Sequence, residues 1–266
     1  MASSLFLDGG EMSVGSSKNV NDSFQVVNAT GSSSVVLVCE HASNFIPAAF
    51  DNLGLSPDLL DAHVVWDPGA LGVARQLADR LDAALVAGTV SRLVYDCNRP
   101  PGAVDAMPTR SEVVDIPGNV GLAQEERDSR FQTYYVPFNA ALSEQIARTN
   151  NPIIVTVHSF TPTYYGVARA VEIGVLHDTD TLLADAMMQT AERHTPADVQ
   201  CNQPYGAGDG VTHTLKEHAI SGGHLNVMLE IRNDLIQTAK AQIKMADMIA
   251  AWLVDVCADR SVTCTE

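Results

Sequence analysis

The chain has 266 residues, 46% of them apolar, and its acidic residues outnumber the basic ones 32 to 16, for a net charge of −16. A nucleic-acid binder needs a cationic face to displace counterions, so this balance argues against one. No apolar run approaches the roughly 18 residues of a membrane span, and the length suits one large domain.

Residues 1–24 are rich in Ser, Asn and Gly and lack a basic start followed by a long apolar run. They read as a mobile leader before a single α/β domain over 25–266, and the lack of a secretory signal makes the cytoplasm the expected location. The five cysteines form no Cys-x-x-Cys pair and are odd in number, so they are expected to be reduced thiols. Residues 34–39 form a continuous apolar run, as in a strand buried on both faces. Residues 71–85 repeat apolar positions at helical spacing (Leu71, Ala74, Leu77, Ala78, Leu81). A short strand is predicted over 92–95, and residues 98–121 form a long irregular segment of the kind usually kept for function. A helix is predicted over 122–148, a second buried strand over 152–157, another over 172–176 and a helix over 181–194. The chain closes with a strand over 226–232 and a long amphipathic helix over 234–257. Alternating strands and helices predict a three-layer αβα fold around a mostly parallel sheet.

Four predicted strands carry polar groups at their C-terminal ends: Glu40-His41, Asp96-Asn98-Arg99, His158-Ser159 and Glu230-Arg232. In open α/β sheets ligands bind outside those ends, so the topology is expected to gather the four segments. Two imidazoles and one carboxylate, with a fourth position open to water, make the usual catalytic zinc set. His41 and His158 are the candidate imidazole ligands, and Zn²⁺ the expected metal. For the third ligand Asp67, in Trp66-Asp67-Pro68-Gly69-Ala70, is the candidate, although Asp before Pro also reads as a helix N-cap. Asn44 is a weaker donor, Glu40 points away from His41 if still in the strand, and His63 is a further alternative. Alternation puts Met228, Glu230 and Arg232 on one strand face, and Glu230 reads either as a general base or as the ion-pair partner of Arg232. Arg99, between a strand end and a proline, suits capture of a substrate carboxylate beside Asn98, or a pairing with Asp96. Cys97, a lone thiol, reads as packing rather than as a nucleophile. His213 and His218 lie on a Gly-rich segment that either closes over the site or is an ordinary surface loop.

At these residues the sequence resembles the N-formylglutamate amidohydrolase family, which belongs with the zinc carboxypeptidase-like hydrolases. The likeness covers about residues 35–253. It is carried by Glu40-His41-Ala42-Ser43-Asn44, Trp66-Asp67-Pro68-Gly69-Ala70, Asp96-Cys97-Asn98-Arg99-Pro100, Val157-His158-Ser159-Phe160 and Leu229-Glu230-Ile231-Arg232-Asn233-Asp234. The resemblance implies a zinc carboxypeptidase-like (phosphorylase/hydrolase-like) fold and zinc on His41 and His158. It further implies a substrate carboxylate on Asn98 and Arg99, activation of water by Glu230, and a role in histidine degradation. One departure stands out: the carboxypeptidase pattern has a glutamate ligand three residues after the first histidine, where this chain has Asn44, so either Asp67 replaces it or metal binding is weaker. The expected activity is hydrolysis of a linear N-acyl or N-formyl amide of a small acidic amino acid. Glu230 then shuttles the proton, Arg99 and Asn98 bind carboxylates with help from Arg232, and His213 stands near the substrate. The rivals are a related zinc peptidase or peptidoglycan amidase, and a non-catalytic protein that binds acidic ligands. A serine hydrolase is disfavoured because no Gly-x-Ser-x-Gly elbow occurs.

Overall fold

Strands arise where apolar runs are buried on both sides, and helices where the apolar spacing covers one stripe. In the computed structural model, which describes residues 23–258, the strands are Phe24–Val27 (β1), Val35–Cys39 (β2), Ala84–Gly88 (β3), Arg110–Ser111 (β4), Val114–Asp115 (β5), Ile153–Phe160 (β6), Thr163–Tyr164 (β7), Val167–Ala168 (β8), Ile173–Leu176 (β9), Val199–Cys201 (β10) and Asn226–Arg232 (β11). The helices are Ala70–Leu81 (α1), Gln124–Arg130 (α2), Val136–Arg148 (α3), Leu182–His194 (α4) and Ala239–Ala258 (α5). Seven strands make one sheet in the order β1-β3-β2-β6-β11-β9-β10. β3, β2, β6 and β11 run parallel, β1 is antiparallel at one edge, and β9 with β10 is antiparallel to β11 at the other. β4–β5 and β7–β8 are separate two-stranded hairpins.

The sheet separates two apolar layers. Val35, Leu37, Val155, Val157, Leu229 and Ile231 pack with α1, α4 and α5, whereas Val36, Val38, Ile154 and Met228 pack with α3 and the loops on the other side. The result is the expected three-layer αβα arrangement. Trp252 is fully buried in the first layer, and its one donor, the indole N–H, is satisfied by Thr190 Oγ1 (2.8 Å) and Met187 O (3.1 Å).

Several boundaries differ from the periodicity. The helix read over 71–85 stops at Leu81 because Asp82 turns left-handed (φ 48°), and its carboxylate accepts from Ser32 N, Ser32 Oγ and Asn28 Nδ2. The chain then enters β3, whose first two residues, Ala84 and Leu85, fall inside the predicted helix. No strand forms over 92–95; Leu93, Val94 and Tyr95 are instead buried in a turn, where Val94 N donates to Ser91 O. Short apolar runs do not by themselves distinguish strand from buried loop. The helix over 122–148 is interrupted by a π turn at Phe131–Tyr135 just before Pro137, whose missing N–H and ring disturb a regular helix. Of the leader read over 1–24, residues 1–22 lie outside the described residues, but Ser23 is buried and Phe24 opens β1 opposite Gly88. Cys39 and Cys97 are buried free thiols and Cys201 an exposed one, but Cys257 is disulfide-bonded, which corrects the reading of all five as reduced. Among the described residues no helix is long and apolar enough to cross a membrane.

Candidate active site

Register sets the floor of the site. β6 and β11 pair His158 with Glu230, and β2 pairs Val38 with Thr156, so Glu40, two residues on, comes level with His158. All three side chains share the face of Val36, Ile154 and Met228, by strand alternation. An imidazole therefore sits between two carboxylates on three adjacent strands, and each of the three residues is at most 5% exposed. His41, just past the end of β2, turns its ring edge-on to His158, with centroids 4.9 Å apart at 71°.

Asp67 stands between the two rings. Its Oδ2 lies 2.9 Å from His158 Nδ1 and 3.3 Å from His41 Nδ1, and it accepts from Ser159 N at 3.3 Å; its Oδ1 accepts from Arg92 Nη1 at 3.2 Å. The sequence allowed a cap or a ligand here, and the helix cap position belongs to Gly69 (φ 84°). An added Cβ at Gly69 would lie 2.6 Å from Ile236 O, so glycine is what lets the chain turn from Asp67 into α1 beside that carbonyl. His41, Asp67 and His158 each offer one donor atom, and the three atoms lie within 4.8 Å of one another.

The far nitrogen of each ring faces a second carboxylate: His41 Nε2 is 2.8 Å from Asp96 Oδ1, and His158 Nε2 is 3.1 Å from Glu40 Oε2. The second contact is an ion pair and not a hydrogen bond, and Glu40 Oε2 and His158 Nε2 are both buried without one. Carboxylates at Nε2 turn both Nδ1 atoms toward Asp67, which is how metal-binding histidines are commonly oriented. Burial opposes charge on both rings, yet the neighbouring carboxylates raise both pKa values: Asp96 and Asp67 for His41, Glu40 and Asp67 for His158. Burial also opposes ionisation of Asp67 and Asp96, and the His41 charge beside them holds both well below the ordinary range. Two Nδ1 atoms and one carboxylate oxygen converge among buried carboxylates, a donor set that suits one divalent cation.

Glu230 differs from the other acids. Burial pushes its pKa up to about 7, and its Oε2 is buried without a hydrogen bond. It lines the cavity that holds the trio, whose volume is about 260 Å³. The alternative ion pair does not form: Arg232 binds Glu172 (3.1 Å) and Asp234 (2.8 Å) and lies away from that cavity. Asn98 lines the cavity, but its amide is engaged with Val211 O (2.6 Å) and Thr214 N (3.0 Å), so it holds the 211–214 segment in place. Arg99 also lines it, pairing with Asp105 (2.7 Å), with Asp96 4.0 Å away. His213 bonds Tyr135 Oη (2.8 Å), and neither it nor His218 lines the cavity. Asn44 binds Asp61 (2.8 Å) outside the site, and His63 lines the cavity paired with Glu112 (3.1 Å). Burial pushes the Cys97 thiol far up, as expected of a packed cysteine.

Sequence reasoning left out Arg92, Tyr164 and Tyr205, and dismissed Glu40. Glu40 does point away from His41, and that same alternation delivers it to His158. Arg92 could have been noticed as a lone cation inside the buried run before Asp96; Tyr164 and Tyr205 carry no sequence signal.

The model of the N-formylglutamate amidohydrolase family matches residues 33–237. No curated protein matches the sequence. Among solved structures, the gene product Atu2144 of Agrobacterium tumefaciens is 48% identical, with a TM-score of 0.89 over 91% of this chain and 97% of its own. The N-formylglutamate amidohydrolase of Ralstonia eutropha JMP134 is 18% identical and shares the fold, with a TM-score of 0.66 over 90% of this chain and 98% of its own.

Proposed function

The chain belongs to the N-formylglutamate amidohydrolase family, and on that premise we propose that it hydrolyses the linear amide of an N-acyl acidic amino acid, with N-formyl-L-glutamate the first substrate to test. The observation that carries this reading is the His41–Asp67–His158 cluster beside the unpartnered carboxylate of Glu230. His41 and His158 through Nδ1, and Asp67 through Oδ2, are the residues that would hold one divalent metal, which we assign as zinc. A bound zinc ion supplies Lewis acidity, polarising the amide carbonyl and lowering the pKa of water.

The protein's own groups do the rest. Asp96 hydrogen-bonds His41 at Nε2, Glu40 stands as a counter-charge 3.1 Å from His158 Nε2, and Arg92 holds Asp67 by Oδ1, so the donors are oriented before a ligand arrives. Glu230, as the carboxylate, takes a proton from the attacking water as its oxygen bonds to the amide carbon. It returns that proton to the nitrogen as the C–N bond breaks, leaving a carboxylic acid and the free amino acid. A base whose pKa burial has pushed up to about 7 suits both halves of the transfer. Arg99 reaches the cavity with Nε and Nη1 already tied to Asp105, Asn98 O and Gly210 O, and its Nη2 takes part in none of those bonds, which suits it to a substrate carboxylate.

Metal analysis of purified protein, with deformylation of N-formyl-L-glutamate measured before and after chelation, tests the reading. About one metal per chain and chelator-sensitive formate release are expected. Protein with neither stoichiometric metal nor amide hydrolysis would overturn it.

A further inference from the structure

The Glu40–His158 contact is an ion pair without a hydrogen bond, so by itself it does not fix where the carboxylate points. The terminal torsion of a glutamate is broad and roughly two-fold, and a buried carboxylate keeps one orientation only if a donor holds it. That donor is Thr214. Its hydroxyl donates to Glu40 Oε1 at 2.5 Å, which leaves Oε2 to stand 3.1 Å from His158 Nε2.

Thr214 is held in turn. Asn98 Oδ1 accepts from Thr214 N (3.0 Å) and Asn98 Nδ2 donates to Val211 O (2.6 Å), so one side chain clamps both ends of the 211–214 segment. Arg99 Nη1 donates to Gly210 O (3.1 Å), one residue earlier. Asn98 also links the segment to the other ring: its backbone N donates to Asp96 Oδ1 (2.9 Å), the atom that lies 2.8 Å from His41 Nε2. A strap over 210–214 therefore reaches behind both imidazoles, through Thr214 and Glu40 to His158, and through Asn98 and Asp96 to His41. The residues after it pack on the sheet face that carries Glu40, His158 and Glu230, with Leu215 and Ala219 among Ile154 and Met228. A second threonine anchors the strap away from the rings. Thr212 is fully buried, and its hydroxyl donates to Asp178 Oδ2 (2.6 Å), which also meets Lys216 (3.0 Å).

We propose that Thr214 is a positioning residue for the metal centre: by fixing Glu40 it sets the ring of His158, while Asn98 holds Thr214 in place. Asn98, expected on the substrate, spends its amide oxygen and an amide N–H on the strap. An imidazole ligand whose far nitrogen meets a fixed carboxylate keeps its angle and its basicity, and losing that support weakens metal binding. This assignment rests on the metal-hydrolase reading above and deepens it. Val211 lines the catalytic cavity, so one short segment both walls the substrate's space and backs the metal donors.

The test measures zinc dissociation constants of the full chain by competition with a chromophoric chelator in wild type, Thr214→Val, Thr214→Ser and Thr212→Val. The visible absorption of the cobalt-substituted proteins is the second readout. Thr214→Val keeps the shape and removes the donor; it is expected to weaken zinc binding about 10- to 100-fold and to change the cobalt spectrum. Thr214→Ser restores the hydroxyl and should return both to wild type. Thr212→Val loosens the same strap without touching Glu40, and should bind zinc as wild type does. Wild-type affinity in Thr214→Val overturns the proposal. So does an equal loss in Thr212→Val, which would make strap stability the cause, or a loss in Thr214→Ser as large as that in Thr214→Val. If Thr214→Val does not fold, Thr214→Ala, which presses no methyl on the carboxylate, decides by the same outcomes. Wild type without stoichiometric zinc removes the metal reading and the proposal together. Zinc bound without hydrolysis of N-formyl-L-glutamate removes the amide reading alone, and the affinities still decide the role of Thr214.

Discussion

At the residue scale two side chains test the proposed chemistry, Glu230 apart from the metal-donor set and Asp96 through His41 within it. Replacing Glu230 by Gln keeps the shape and removes the base. Activity should fall by about 10²- to 10⁴-fold with metal content unchanged, as measured by single-turnover rates and metal analysis. Only the ionised form accepts a proton, so the wild-type kcat/KM should rise with pH along one limb. Burial, against the opposing pull of the His158 and His41 charges, sets that limb at about 7, and a bound cation draws it down toward the ordinary glutamate value of about 4.3, so it should lie between the two and be missing from the residual activity of Glu230→Gln. Asp96 acts through His41, to which it is hydrogen-bonded at 2.8 Å. Its replacement by Asn should weaken metal affinity by about 10- to 100-fold, read by competition with a chromophoric chelator, without emptying the site at saturating metal.

The decisive element is the turn from the first loop into α1. Asp67 reaches both rings only because Gly69 takes a left-handed φ of 84° against Ile236 O. Gly69→Ala meets both a strained backbone and a close contact, and should destabilise the protein by about 1–3 kcal/mol. Urea unfolding of the metal-free protein would give that value, and metal affinity should fall as well because Asp67 shifts. A substitution in the exposed β4–β5 hairpin, such as Val113→Ala, is the control expected to change neither quantity.

Taken as a whole, the molecule concentrates buried negative charge where four parallel strands present their C-terminal ends, and the two apolar layers keep that charge from relaxing into water. A metal that binds only the folded state then adds stability by mass action, about 2.7 kcal/mol at a hundredfold excess over its dissociation constant. Thermal unfolding midpoints should therefore rise with added zinc and fall on chelation in wild type, and should respond much less in His158→Ala. Equal responses in the two proteins would mean that the ion binds elsewhere.

The fold class was readable because buried parallel strands are apolar on both faces, as the runs at Val35–Cys39 and 153–157 are, and because such runs alternate with helical spacing along the chain. His41, His158 and Glu230 were readable for a related reason, since an ionisable group that interrupts or follows such a run must leave the core at its end. Boundaries were less so, because one left-handed residue, Asp82, ends a helix that periodicity would continue into β3. Partner choice was hidden from the sequence. Nothing local states that Asp67 rather than Asn44 meets the imidazoles, that Glu40 backs His158, or that Arg232 is engaged with Glu172. Contacts of this kind join residues as much as 174 positions apart, as where the Thr214 hydroxyl donates to Glu40 Oε1, and depend on strand register and on how loops return across the sheet edge. The sequence by itself determined which groups had to emerge at that edge, because burial is a property of each run. Only the tertiary structure decided which of them meet, because electrostatic pairing depends on distances that chain order does not contain.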